Sequence, residues 1–282
     1  MPELPEVETI RRHLAPHVEG RTLRRLEILD ERWSRPLAGA ELSAALEGRV
    51  IERLGRRGKY LVWELEDEAY LLQHLRMTGT LLLDPPEPSR HMRARFTLTD
   101  HRLLYDDPRR FGTAELALGD PALAAFFATR LGVEPLGGEF TAEHLHALTR
   151  QSRAPIKAFL LNQLRVAGVG NIYADEALFR ARLHPLRPAN QLSRPQCAAL
   201  RDAVVESLEA GLEAKGATID DFRSPDGTYG SFQDRFLIHL REGQDCVRCG
   251  GPVRKLRAAG RGTYVCEKCQ PRPRAPRRPP PR

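Results

Sequence analysis

The chain reads as an α+β multidomain protein, with a β-sandwich-like N-terminal domain opened by a helix, then a helical domain, then a small cysteine-bearing module. Three observations predict this. Between about Thr22 and Leu118, short apolar runs are punctuated by turns. From about Pro121 to Lys215 the apolar residues fall at helical spacing, and two Cys-x-x-Cys pairs follow. The expected divisions are 1–131, 132–240, 241–270 and a tail at 271–282, with Gly132–Glu139 and its Gly137-Gly138 pair as the interdomain linker.

The first helix is predicted from Pro5 to about Leu14, where Val7, Ile10 and Leu14 share one face and Gly20 follows the end. Pro5 suits a first turn, Glu6 and Glu8 suit the positive end of the dipole, and Arg11, Arg12 and His13 lie toward the negative end. These rules leave Pro2 and Glu3 without a structural reason. If Met1 is removed, Pro2 carries a secondary amine, and an α-amino group is roughly a tenth neutral at pH 7, far more than a lysine. Such an amine can attack a sugar or carbonyl carbon and form a Schiff base that acts as an electron sink, with Glu3 beside it to move a proton. An ordinary helix start accounts for the rest of the stretch without any chemistry.

Strands are expected at Tyr60–Leu65, Tyr70–Leu75, Thr80–Leu83, Arg95–Leu98 and Leu103–Tyr105, a spacing that suggests a sandwich or barrel. Lys59 stands after Gly-Arg-Arg-Gly at a strand start, where a lysine is ordinarily solvated, yet it is one of only five lysines among 44 basic residues. His74-Leu-Arg-Met77-Thr-Gly79 and Asp107-Pro-Arg109-Arg110-Phe111-Gly112 read as two loops. By composition alone Met77 and Phe111 belong in a core and the arginines in solvent.

In the helical part, Ala154–Leu164 and Ile172–Arg182 flank Val166–Asn171, a helix pair joined by a glycine-containing turn. Asn171 is expected to cap the second helix, at a terminus whose backbone amides could hold a phosphate. Phe222–Gln233, rich in Gly, Pro, Asp and Ser, reads as a loop. Cys246, Cys249, Cys266 and Cys269 form two pairs separated by 16 residues, the spacing of a closed structural zinc site around a short hairpin, and Cys197 stands apart.

The net charge of +7 and pI near 9.4 favour a polyanionic partner. Five arginines in the tail account for most of that, so the body carries only +2 and binding there needs a one-sided distribution. The tail, with six prolines from Pro271 onward, is expected to be disordered and to bind phosphates without sequence preference. No apolar run is long enough for a membrane span, and no signal peptide opens the chain, which points to a soluble cytoplasmic protein.

Pro-Glu-Leu-Pro-Glu-Val-Glu at residues 2–8 resembles the opening of the formamidopyrimidine-DNA glycosylase family. Residues 163–176 resemble its helix-two-turn-helix motif, and Gly-Arg-Gly-Thr at 260–263 resembles its zinc-finger turn. The resemblance spans residues 2 to about 270. It implies a bacterial, monomeric, nucleoid-associated enzyme with one structural zinc and no other cofactor, binding duplex DNA between the β-rich and helical domains. That enzyme would excise 8-oxoguanine and formamidopyrimidines and cleave the resulting abasic site by β,δ-elimination.

On this resemblance Pro2 is the nucleophile, Glu3 handles protons at the sugar, and Lys59 transfers a proton near the phosphate of the damaged nucleotide. Arg261 serves the phosphates and the later elimination. Met77 and Phe111 become wedges filling the space of an extruded base, Arg109 meets the widowed base, and Arg110 meets the backbone. His74, His91, Arg153 and Asn171 are implied as further DNA contacts, and 222–233 as the loop closing over the flipped base. Thr78 and the stretch 91–93 depart from the family pattern, which leaves fine base preference open. Two other readings compete: an endonuclease VIII-like glycosylase for oxidised pyrimidines, opposed by Leu4 where a glycine is typical, and a DNA-binding relative without catalysis, opposed by Pro2, Glu3, Lys59 and Arg261 together.

Overall fold

A computed structural model describes residues 2–86, 89–219 and 224–273. The basic tail past Pro273 and the first part of the loop expected at 222–233 lie outside them. The chain divides into two compact units, residues 1–134 with 208–235, and residues 135–207 with 236–282. The break at Glu134/Pro135 falls inside the stretch read as a linker. Residues 208–235, by contrast, count with the first unit, although the helical periodicity groups them with the second.

The first unit opens with α1 (Leu4–Val18), longer than the periodicity from Pro5 to Leu14 implies, because Ala15 and Val18 extend the buried stripe past Pro16. Two four-stranded antiparallel sheets follow. One is ordered β1-β6-β7-β5, from Leu23–Ile28, Met92–Leu98, Arg102–Asp106 and Thr80–Leu83; the other is β2-β3-β4-β8, from Ile51–Arg57, Tyr60–Leu65, Ala69–His74 and Thr113–Leu118. Successive residues of a strand face opposite ways, so Leu61, Trp63 and Leu65 enter the main core with Val7, Ile10, Leu14, Phe96 and Tyr105. Tyr60 and Val62 face the other side, where α3 (Asp120–Ala128) covers them with Leu123, Phe126 and Phe127. Apolar cover on both faces explains why every residue of β4 is buried. A helix not foreseen in the strand-rich region, α2 (Gly39–Leu46), buries Leu42 and Leu46; eight residues are too few for a period to stand out.

The second unit contains α4 (Ala142–Arg150), α5 (Ile156–Leu161), α6 (Asn171–Arg180) and the start of α7 (Arg194–Glu213). It also holds the hairpin of β9 (Arg254–Ala258) and β10 (Arg261–Val265). Ala259 and Gly260 both have positive φ, 52° and 72°, the two-residue turn whose twist matches a hairpin. Among the described residues no helix is long and apolar enough to cross a membrane.

Candidate functional site

The first unit carries Pro2, Glu3, Lys59, His74, Met77, His91, Arg109, Arg110 and Phe111; the second carries Arg153, Asn171, Arg261 and the four cysteines. Pro2 and Glu3 are buried immediately before α1. The Glu3 N–H donates to Glu6 Oε2 at 2.8 Å, and Glu6 Oε1 accepts the N–H of Ala217 at 2.7 Å. Glu6 is therefore more than the dipole-favoured anion its position suggests, because it ties the first turn of the chain to residue 217. Gly216, at φ +84°, lies so close that a Cβ would approach Glu6 Cγ to 2.8 Å.

Lys59 is 5% exposed, not a solvated strand end. The peptide groups of Gly58 before it are held on both sides, the N–H by Glu134 Oε2 (3.0 Å) and the carbonyl by Arg56 Nη1 (2.9 Å). Arg56 also pairs with Glu134 at 2.6 Å and with Glu8 at 3.1 Å, so two carboxylates hold the arginine that fixes the turn. Arg11, Arg12 and Arg56 outweigh the burial that would raise the Glu8 pKa, and hold it below the usual carboxylate range.

His74 Nδ1 accepts the Arg76 N–H at 2.9 Å, which assigns the ring proton to Nε2. Burial, with the nearby charges of Arg76 and Lys59, lowers its pKa to about 3, so the ring is neutral at working pH and can donate from Nε2. Phe111 is 50% exposed and Met77 is half-buried, so neither is a core residue. The Arg109 guanidinium lies over the Phe111 ring at 4.7 Å. Arg110 pairs through two nitrogens with buried Asp30, whose pKa these bonds lower despite burial. The guanidinium of Arg110 is thus charge-balanced within the protein. His91 accepts the Asp107 N–H through its carbonyl at 3.0 Å and the Arg90 side chain through Nε2 at 3.1 Å.

In the second unit the four cysteine sulfurs lie within 4.8 Å of one another. Two sulfur pairs stand at 3.8 Å (Cys246 with Cys269) and 3.5 Å (Cys249 with Cys266). Zinc–sulfur bonds of about 2.3 Å in a tetrahedron require sulfurs about 3.8 Å apart, so the donor set fits one zinc ion with no position left for water. Cys197 is buried elsewhere against Thr149.

Arg261 is exposed at the start of β10, and a buried network holds the backbone around it. Lys157, with no exposed surface, donates to Asp175 Oδ1 (2.7 Å), Thr263 Oγ1 (2.7 Å) and the Gly262 carbonyl (3.2 Å). Thr263 in turn donates to the Arg261 carbonyl at 3.1 Å, and Asp175 Oδ2 engages His239 Nδ1 at 2.8 Å. Asn171 is not the cap of α6: Gly170 occupies that position, and Asn171 is the first helical residue. Its Nδ2 donates to the Gly262 carbonyl at 3.2 Å. Arg153 is exposed. Lys157 and Asp175 gave no signal in the sequence beyond the scarcity of lysine.

Three family models match: the formamidopyrimidine-DNA glycosylase N-terminal domain over residues 1–114, its H2TH domain over 131–223, and a zinc finger found in FPG and IleRS over 243–272. The formamidopyrimidine-DNA glycosylase of Thermus thermophilus is 44% identical over 96% of this chain and 98% of its own, and that of Heliobacterium modesticaldum 42% over 96% and 100%. Among solved structures, Lactococcus lactis Fpg in complex with abasic-site DNA superposes with a TM-score of 0.89 at 36% identity, over 96% of this chain and 100% of that one. The Thermus thermophilus MutM structure gives 0.86 at 44%, over 95% and 98%.

Proposed function

Because the chain belongs to the formamidopyrimidine-DNA glycosylase family, we propose that it excises oxidised purines, 8-oxoguanine and formamidopyrimidines, from duplex DNA and then cleaves the abasic site. One observation carries this reading: a Lactococcus lactis Fpg variant bound to Fapy-dG-containing DNA matches 96% of the chain with a TM-score of 0.90. The chain's own residues supply the parts such a reaction needs. With Met1 removed, the Pro2 nitrogen attacks C1′, a carbon–nitrogen bond forms, and the base leaves with the glycosidic electron pair while Glu3 handles protons at the sugar. The C1′–O4′ bond then breaks, with its electron pair and a proton going to O4′ and the nitrogen losing its own proton, and the resulting iminium acidifies C2′ so that two eliminations release the strand ends. A secondary amine gives an iminium with no nitrogen proton to lose, which keeps the electron sink in place through both steps.

Lys59 and Arg261 serve the phosphates and the eliminations, Met77 and Phe111 fill the space left by the extruded base, and Arg109 meets the base opposite. Neutral His74 donates from Nε2 to a phosphate, and His91, Arg153, Asn171 and Arg110 complete the backbone contacts. The cysteines hold a zinc that fixes the hairpin and takes no part in the chemistry. One observation favours a broader substrate range: Lactococcus lactis Fpg has also been solved with DNA containing an oxidised pyrimidine. A panel of duplexes, each with a single defined lesion, ranks the two classes.

Borohydride present during turnover is expected to leave DNA covalently attached to the N-terminal residue. Trapping that persists in Lys59→Ala and disappears when Met1 is retained supports Pro2. The opposite pattern assigns the nucleophile to the lysine and overturns the reading.

A further inference from the structure

Both candidate wedge loops converge on one buried carboxylate. Asp107 is 1% exposed, and its oxygens accept five hydrogen bonds, all from neutral donors. Oδ1 takes the Thr78 hydroxyl and the Arg109 N–H (3.3 Å). Oδ2 takes the Tyr105 hydroxyl (3.2 Å) and the N–H groups of Phe111 (2.9 Å) and Gly112 (2.8 Å). A carboxylate offers about four lone-pair positions, so this one has no capacity left. Its bonds to 109, 111 and 112 close the second loop on itself. The bond from Thr78, next to Met77, ties the first loop to the second.

The packing repeats the pattern. A Cβ at Gly79 would lie 2.5 Å from the Tyr105 hydroxyl oxygen, and one at Gly112 only 1.7 Å from it, so each loop ends in a glycine pressed against the same hydroxyl. Each wedge candidate also follows an arginine in the left-handed region, Arg76 at φ 55° and Arg110 at φ 59°. Non-glycine residues hold that conformation only where their surroundings impose it.

We infer that Asp107 is a positioning residue for base extrusion: through Thr78 it locks the Met77 and Phe111 loops into one rigid piece, so that both side chains enter the duplex together. The wedge assignment in the proposed function underlies this inference. A rigid pair enters the stack without first being ordered, and loops released from Asp107 would have to be ordered at that moment.

The test uses the full-length enzyme and two substrates, a duplex with one 8-oxoguanine opposite cytosine and a single strand with a preformed abasic site, which has no base to extrude. In Thr78→Val, which keeps the shape and removes the donor, the ratio of duplex excision to single-strand cleavage is expected to fall. The expected fall is roughly ten- to a hundredfold, the range spanned by a hydrogen bond to a charged group. Thr78→Ser is expected to restore the ratio, and Asp107→Asn to lower it at least as far, since an amide turns hydrogens toward N–H donors. A ratio unmoved in Thr78→Val, or lowered equally in Thr78→Ser, overturns the inference even if Asp107→Asn fails to fold. Met77→Ala and Phe111→Ala separate the two readings. If they lower the ratio while Thr78→Val does not, the wedge assignment stands and the role of Asp107 falls; if they leave it unmoved, the wedge assignment fails and the inference with it.

Discussion

Two buried charges organise the side chains proposed to be functional, and they do so in opposite ways. The Asp107 carboxylate is met by neutral donors, and its partners lie within 29 residues along the chain. Lys157 is a cation paired with an anion, Asp175, and it reaches 106 residues along the chain to Thr263. The first arrangement makes a local loop rigid. The second ties a small hairpin, whose Tyr264 clusters with Phe179 and Ile238, to its helical scaffold. Placing a loop needs only nearby neutral donors, amides and hydroxyls, whereas placing a separate module takes a strong directed interaction across the fold.

Removing zinc is expected to have the largest effect. Structural zinc contributes on the order of 10–16 kcal/mol of apparent binding free energy in small finger modules, so stripping the metal or making Cys249→Ser should unfold the hairpin and weaken DNA binding. The thermal transition of the first unit should survive. Metal analysis should find one zinc per chain in the purified protein and in Cys197→Ser. A first unit that melts along with the hairpin would break the contrast between local and long-range organisation.

Lys157→Met should come next, at about 3–5 kcal/mol, because it leaves Asp175 buried without its cation. Urea unfolding measures this. The contrast is sharpened by repeating the measurement without zinc, where the penalty should shrink because the bonds to Gly262 and Thr263 are already gone. An unchanged penalty would mean that Lys157 serves only the helices.

The smallest effect concerns pH in the first unit. His74 stays neutral in the fold down to about 3, while in the unfolded chain it takes up its proton near 6.5. Between those values the unfolded state binds more protons, so stability falls as the solution is acidified. This group alone contributes at most about 1.4 kcal/mol per pH unit, and its contribution is fully present only above about 6.5. His74→Gln should flatten the slope of unfolding free energy between pH 7 and 5, and an unaltered slope would place the titration elsewhere.

The two modes of organisation also decide what could be read in advance. The cysteine site is legible because metal ligation imposes a local spacing, and β3 and β4 because they are long enough to show their apolar runs, whereas β1, β2 and β8 carry charged residues that break such runs. The capping expectation for Asn171 fails because the cap position falls to Gly170, and its side-chain partner, Gly262, lies 91 residues away. Lys157 and Asp175 were silent for the same reason. Glu6 looked like a dipole-favoured anion, since nothing near it foretells a bond to residue 217. The burial of Lys59 is not legible either, because the Arg56–Glu134 pair that holds the turn before it exists only in the folded chain.

The bond from Glu6 to Ala217 also sets an order in time. The first turn of α1 is synthesised well before its partner, and it cannot acquire this tie until residue 217 has left the exit tunnel, after the whole of 135–207. At about 5–20 residues per second that wait lasts roughly ten seconds or more. The residue whose amine is proposed to attack DNA is thus made well before its first turn can be anchored, so a chain that stalls or is truncated before residue 217 carries it without this anchor.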